Sequence, residues 1–432
     1  MRFRSWAATV AAGIMCASVA SGCSKSAGTE KTGTEDADQG TEPAHLVIHS
    51  MSGWTEEAFN ERFGDAIRKK FPMHTFTYIQ SAKGSTYPDL IAAGQQIDIV
   101  WESIGLFPRG PLPYKLQYDM TERIKLHQID TSRIEPTLIA AIKEMSGGGM
   151  YALPVINNTV MLYYNKDLFD TFGVAYPKNG MTWDEALALN ERLTRSDGAV
   201  QYAGLGLGHF FATNSFSLPY VDPKTEKPTI ANAEWKALYQ IYMRMAEPQG
   251  FKDKMRQTGK IPDVASFVKH KDTAMLAALA NTHMNQDMSG LNWDAVPFPV
   301  FKEKPNTGPQ SYPTYFGVTA TSQHKEQAME TIKFLLSDEY QMEASRKGVL
   351  PVVKSDAVKE AFAKDTPFAG KNVKAAFYDN FAPVSPRTIY DGEVEKAYNA
   401  ELVKLMLGEV DLNTLLRNAE EAAGKAIAEL KK

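Results

Sequence analysis

Cysteine is nearly missing from this chain of 432 residues: Cys16 and Cys23 are its two copies, and nothing after them carries a thiol. That excludes a disulfide framework, thiolate metal sites and cysteine nucleophiles from the body of the protein. An excess of charge of one sign is missing too. Lys and Arg number 47 against 51 Asp and Glu, and no basic stripe of the kind that grips nucleic acid occurs. Past the N-terminus, no apolar run approaches the roughly 20 residues that span a bilayer. The eight histidines show no metal-ligand spacing. The signatures HExxH, GxSxG and GxxxxGK[ST] do not occur. "GLGLG" (204–208) begins like a dinucleotide fingerprint, but His209 stands where the third glycine should be. These absences leave a binding protein without cofactor or metal as the expected class, not an enzyme.

What is present begins with an export pattern. Arg2 and Arg4 precede an uncharged apolar run, Trp6 to Ala20, which small residues close. A basic end, a short apolar core and small residues make a secretory signal peptide, expected over 1–22. "ASGC" also resembles the lipobox of bacterial lipoproteins, in which Cys23 would be lipidated. Ala20 replaces the usual leucine there, and ordinary cleavage near "ASVASG" with full secretion is the alternative. Residues 23–43 are a polar leash that cannot bury enough surface to order itself. Twenty such residues hold a domain about 25 Å from an anchor. Removing 1–22 takes the formal net charge from −4 to −6.

The body opens with alternating strands and helices. "HLVIH", "HTFTYIQ" and "IDIVW" read as strands. Between them lie a helix with Phe59, Phe63, Ala66, Ile67 and Phe71 on one stripe, and a shorter helix stopped by Gly94. That order implies parallel strands with helices on both faces. Ligands in such sheets sit beyond the carboxyl ends of strands, which points to Ser50–Trp54 and Glu102–Gly105. Further on, "MLYYN" reads as a strand, "KDLFDTFG" as a short helix, and "TWDE" as a capping box of Thr182 and Glu185. In "EQAMETIKFLLS", residues Ala328, Met329, Ile332, Leu335 and Leu336 form one apolar stripe.

The run "YALP…LYYNKDLF…P…TWDE" resembles the extracellular solute-binding proteins of ABC importers, the family that includes sugar-binding members. "FVKHKDTAMLAALAN", "NWDAVPFP" and "YFGVTATSQHKEQAMETIKFLLSDEYQMEASRKGVLPVVKS" continue the likeness in order, over roughly 45–430. The resemblance implies an α/β, two-lobe periplasmic-binding-protein-like (type II) fold with a hinge and a central ligand cleft. One lobe would comprise 44–152 with 297–348, and the other 153–296 with 349–432. Chain crossings would fall near Tyr151–Pro154, Val296–Pro299 and Val349–Val352. "SYPTYFG" lacks a glycine pair that the family usually has, and Lys269–Lys271 replace the glycine of its "GK" element.

Sugar sites need flat aromatic faces, with amides and carboxylates for hydroxyls, because unmatched buried polar groups reject the wrong solute. Residues of those kinds occur where the cleft is expected: Trp54, Glu102, Asn157, Asn158, His209, Phe210, Asn281, His283, Tyr312 and Tyr315. Two amides in an otherwise apolar crossing are costly unless bonded, which singles out Asn157 and Asn158. Trp183, Trp235 and Trp293 are expected in the core. The expected function is a monomeric, lipid-anchored receptor on the outer face of the cell membrane. It would hand a mono- or oligosaccharide to ABC permease subunits. A surface enzyme with a carboxylate pair and a sensor for a membrane kinase are the alternatives. The acidic balance and the few arginines in these loops argue against a strongly anionic solute.

Overall fold

Apolar alternation becomes strand wherever a helix or a second strand can cover it, and the computed structural model describes residues 42–432. The expected signal peptide, Cys23 and all but the last two residues of the leash lie outside the described residues. In chain order the first strands are β1 (His45–Ser50), β2 (Thr75–Gln80), β3 (Ile99–Ser103), β4 (Leu153–Ile156) and β5 (Val160–Asn165). A small hairpin follows, β6 (Ser196–Asp197) and β7 (Val200–Gln201), then β8 (Ala203–Leu207), β9 (Thr273–Leu279), β10 (Trp293–Pro297) and β11 (Thr314–Val318).

Two larger sheets result, ordered β2-β1-β3-β11-β4 and β10-β5-β9-β8. β1 runs parallel to both β2 and β3, as the strand–helix alternation implies, while β11 is antiparallel to β3 and β4. In the second sheet β5 is antiparallel to β10 and β9, and β8 is parallel to β9. Each sheet organises one lobe. The first lobe buries Leu46, Ile48, Ile99 and Trp101 with Phe59, Phe63 and Ile67 of the helical stripe. The stripe of Ala328, Met329, Ile332, Leu335 and Leu336 packs into the same core. The second sheet is covered on both faces, so successive residues of β5 face opposite cores. Val160, Leu162 and Tyr164 pack with Trp235 and Trp183, and Met161 and Tyr163 with Phe267 and Trp293.

The helix after β1 starts at Thr55, whose hydroxyl accepts the Ala58 N–H at 3.2 Å. It runs through Glu56–Phe59, widens into a π turn over Asn60–Gly64, and returns to α geometry for Asp65–Lys70. Glycine is required inside that turn. A Cβ on Gly64 would stand 2.4 Å from Asn60 Oδ1, which accepts a hydrogen bond from Arg68 at 2.8 Å. The "TWDE" box forms as expected: Thr182 Oγ1 accepts the Glu185 N–H at 3.3 Å, and Glu185 accepts the Thr182 N–H at 2.7 Å.

Two of the expected crossings are corrected. Leu153 and Pro154 pair with Phe316 and Tyr315 at the edge of the first sheet, so the chain leaves that sheet at Asn157–Thr159 instead of Tyr151–Pro154. Val296 still pairs with Leu162, and Phe298 and Phe301 pack in the second core, so the return falls at Gln310–Pro313 instead of Val296–Pro299. The cause is the same in both places: apolar residues that read as crossing strand complete a sheet or a core. At the third position Val349 and Val352 face the first core while Leu350 packs into the second-lobe core that holds Phe267 and Trp293.

Candidate functional site

The polar residues of the crossings bond one another. The Asn157 N–H donates to Leu350 O at 2.9 Å, and the Tyr312 N–H to Asn158 O at 2.6 Å. Thr159 Oγ1 donates to Gln310 O at 3.3 Å, and Asn157 Nδ2 to Ser311 Oγ at 3.4 Å. Gln310 ties this bundle to the second lobe, donating to Asn214 O at 2.8 Å and accepting the Ser385 N–H at 2.7 Å. The Asn157 amide is bonded at both its oxygen and its nitrogen, and the Asn158 amide at its oxygen alone. Their side-chain oxygens accept the N–H of Asn158 and Thr159 at 2.8 and 3.0 Å. Asn158 Nδ2 keeps no protein partner among the described residues.

Beside the crossings the two lobes face each other. His209, in a left-handed conformation at φ 58°, stands after β8 with its ring 5.6 Å from that of Tyr312. The ring reaches solvent, yet the protein around it desolvates it enough to lower its pKa. Arg109, in the loop after β3, donates through Nε to Gly105 O at 3.2 Å and lies 3.8 Å from Glu395 on the second-lobe helix Asp391–Leu407. That approach needs the bare backbone of Gly392, where a Cβ would meet the Arg109 guanidinium at 2.4 Å. Arg387 is buried nearby, donating to Ala212 O and lying 5.6 Å over the Tyr220 ring. Burial outweighs Arg387 at Asp391 and pushes that carboxyl up to about 6.

A cavity of about 560 Å³ also opens between the lobes. Arg62, Lys69 and Tyr340 line it from the first lobe, and His283, Met284 and Phe368 from the second. His283 is 7% exposed, stacked 5.3 Å from Trp293 and edge-on to Phe368 at 4.3 Å. Its Nδ1 lies 3.1 Å from the Tyr163 hydroxyl, and its buried Nε2 has no partner among the described residues. Burial, with help from Arg62, lowers its pKa to about 4, so the ring is neutral at physiological pH. Trp54 is half-buried, 5.0 Å from Trp101, and carries the Arg62 guanidinium 5.1 Å over its ring. Asn281 is half-buried before the helix Thr282–Asn285, with its side chain unbonded among the described residues.

Three expected contact residues are sealed inside a lobe. Phe210 is 1% exposed among Trp183, Tyr242 and Phe298. Tyr315 is fully buried, its hydroxyl donating to Leu138 O at 2.8 Å. Glu102 is also fully buried and accepts from Met51 N–H at 2.7 Å, Tyr87 at 2.8 Å and Ser50 at 3.1 Å. It shapes the loop after β1 from beneath. Strand alternation turns Tyr315 inward, the turn after β8 does the same to Phe210, and all three leave the set of contact candidates.

The profile of the family described as bacterial extracellular solute-binding protein matches residues 51–342. This chain belongs to that family. Among solved structures, this solute-binding protein is similar to an ABC substrate-binding protein from Listeria monocytogenes in complex with cycloalternan. The TM-score is 0.70 at 20% identity, covering 90% of this chain and 100% of that one. A sugar transporter from Rhizobium etli in an open conformation gives 0.68 at 20% identity over 88% and 99%. The sugar-binding protein of Xanthomonas citri gives 0.65 at 16% identity over 90% and 98%. These likenesses establish the two-lobe fold. Sequence reasoning about this solute-binding protein missed Arg62, Arg109, Arg387 and Phe368. Arg109 follows closely on the loop that the strand-end rule pointed to, and an arginine beside that loop was the available signal. Arg62 lay hidden on a helix read for its apolar stripe.

Proposed function

We propose that this protein captures a saccharide between its lobes outside the cell and delivers it unchanged to an ABC permease. The observation that carries this reading is the inter-lobe surface. A cavity of about 560 Å³, within the roughly 300–1,000 Å³ of small-ligand sites, lies between two lobes joined by bonded extended crossings. His283 lines that cavity, and outside its lining Trp54, Asn158, His209, Asn281 and Tyr312, with Arg109 and Arg387, supply aromatic faces and polar groups suited to hydroxyls. Contacts made to both lobes at once favour the closed form, because a ligand shifts an equilibrium only by its differential affinity. Structural relatives named for cycloalternan and for sugars support the solute class. The extracellular family and the export pattern of the first 22 residues support the location, and lipidation of Cys23 would supply the anchor.

The test is small-angle X-ray scattering of the full mature chain against saccharides chosen by a thermal-shift screen. The expected result is a smaller radius of gyration with a stabilising sugar. Unchanged profiles with every stabilising sugar would remove capture by closure.

A further inference from the structure

The cavity between the lobes holds charges that the protein does not balance. Four acids line it. Asp65 lies 3.4 Å from Arg68, Glu343 lies 2.8 Å from Lys347, and Asp365 takes two hydrogen bonds from Arg346 at 2.6 and 2.7 Å. Glu61, Lys69 and Arg62 remain without an ion pair among the described residues. Glu61 and Lys69 are exposed, so water screens them. Arg62 is half-buried and sits in the π turn, with no hydrogen-bond acceptor for its guanidinium among the described residues. The Trp54 ring beneath offsets part of its desolvation, but it takes no hydrogen bond in the guanidinium plane. Inserted π turns are frequent at functional sites. Across the cavity, His283 lines the wall and its Nε2 is buried with no partner among the described residues, a state that calls for a ligand or water.

We propose that this cavity selects an acidic saccharide, with Arg62 pairing with a ligand carboxylate from one lobe and His283 Nε2 bonding a ligand hydroxyl from the other. The proposal rests on the receptor reading above and reverses the expectation, drawn from the acidic composition, that anionic solutes are disfavoured. A planar guanidinium matches a carboxylate in two parallel hydrogen bonds, stronger than any it makes to a neutral hydroxyl. Because the two groups belong to different lobes, the ligand would reward closure.

Isothermal titration of the full chain with matched pairs of disaccharides tests it. The probes are digalacturonate, cellobiouronate and dimannuronate, each beside its carboxyl-reduced neutral counterpart. At least one acid should bind about 30-fold more tightly than its neutral partner, as a charge-assisted bidentate pair implies. Arg62→Gln should erase that preference, and Arg62→Lys should restore part of it. Should the Gln variant not fold, the wild-type preference between partners and its weakening by salt carry the same decision. Neutral sugars binding as tightly as acids, or an acid preference that survives Arg62→Gln, would overturn acid selection and leave the receptor reading standing. Binding of no saccharide in either set would overturn acid selection, while the receptor reading stands or falls on the wider screen.

Discussion

Glu102 shows how much a single side chain can conceal. Its place after a strand and its carboxylate made it a candidate for holding hydroxyls, yet all its hydrogen bonds go to its own lobe. Burial wins over those bonds and raises its pKa from 4.5 to about 7. The folded protein thus holds this proton up to about pH 7, whereas the unfolded chain releases it near 4.5. The contribution to stability is present below pH 4.5 and declines as pH rises from there to 7, a difference of about 3 kcal/mol. Urea unfolding at pH 5 and pH 8 should therefore show a steeper loss in the native protein than in Glu102→Gln. Equal slopes would show that the carboxyl titrates normally. Phe210 and Tyr315 make the same point in apolar form. A pattern gives the residue type near a strand end, but only neighbours such as Trp183 or Leu138 decide which way it faces.

At the scale of elements the chain is far more readable. The four runs read as strands became β1, β2, β3 and β5, the two helical stripes packed inward, and Thr182 and Glu185 formed their reciprocal cap. Two things escaped. The π turn at Asn60–Gly64 has no signature that periodicity detects, because Phe59, Phe63 and Ile67 still fall inward. The crossings were displaced because "YALPVI" is equally apolar whether it bridges lobes or completes a sheet edge. Gly64→Ala should cost about 1–3 kcal/mol by forcing a Cβ against Asn60 and Arg68, read as a lower urea midpoint. Gln310→Ala removes the acceptor of the buried Ser385 N–H and the donor to Asn214 O. A loss of about 2–4 kcal/mol follows if the crossing is held as described, and a loss below 0.5, near the floor for a single bond, would deny it that role.

For the whole molecule, the order of short motifs along the chain conveyed two lobes and a hinge, while the solute stayed unwritten. The proposed site draws on residues far apart in sequence, such as Arg62 and His283, which line one cavity. The contact of Arg109 with Glu395 and the bare Gly392 also belongs to this scale, since it joins one lobe to the other. Such a partly exposed pair is worth only about 1 kcal/mol, enough to tilt an open–closed balance severalfold. Arg109→Ala should therefore enlarge the ligand-free radius of gyration, and the gap from the native protein should shrink at high salt.

The most direct measurement of the central claim is titration calorimetry of the full mature chain with neutral and acidic oligosaccharides. Capture without chemistry gives saturating heat at one ligand per chain, after which the signal returns to baseline and the sugar is recovered intact. Sustained heat from turnover, or no saturable heat with any saccharide, would contradict it.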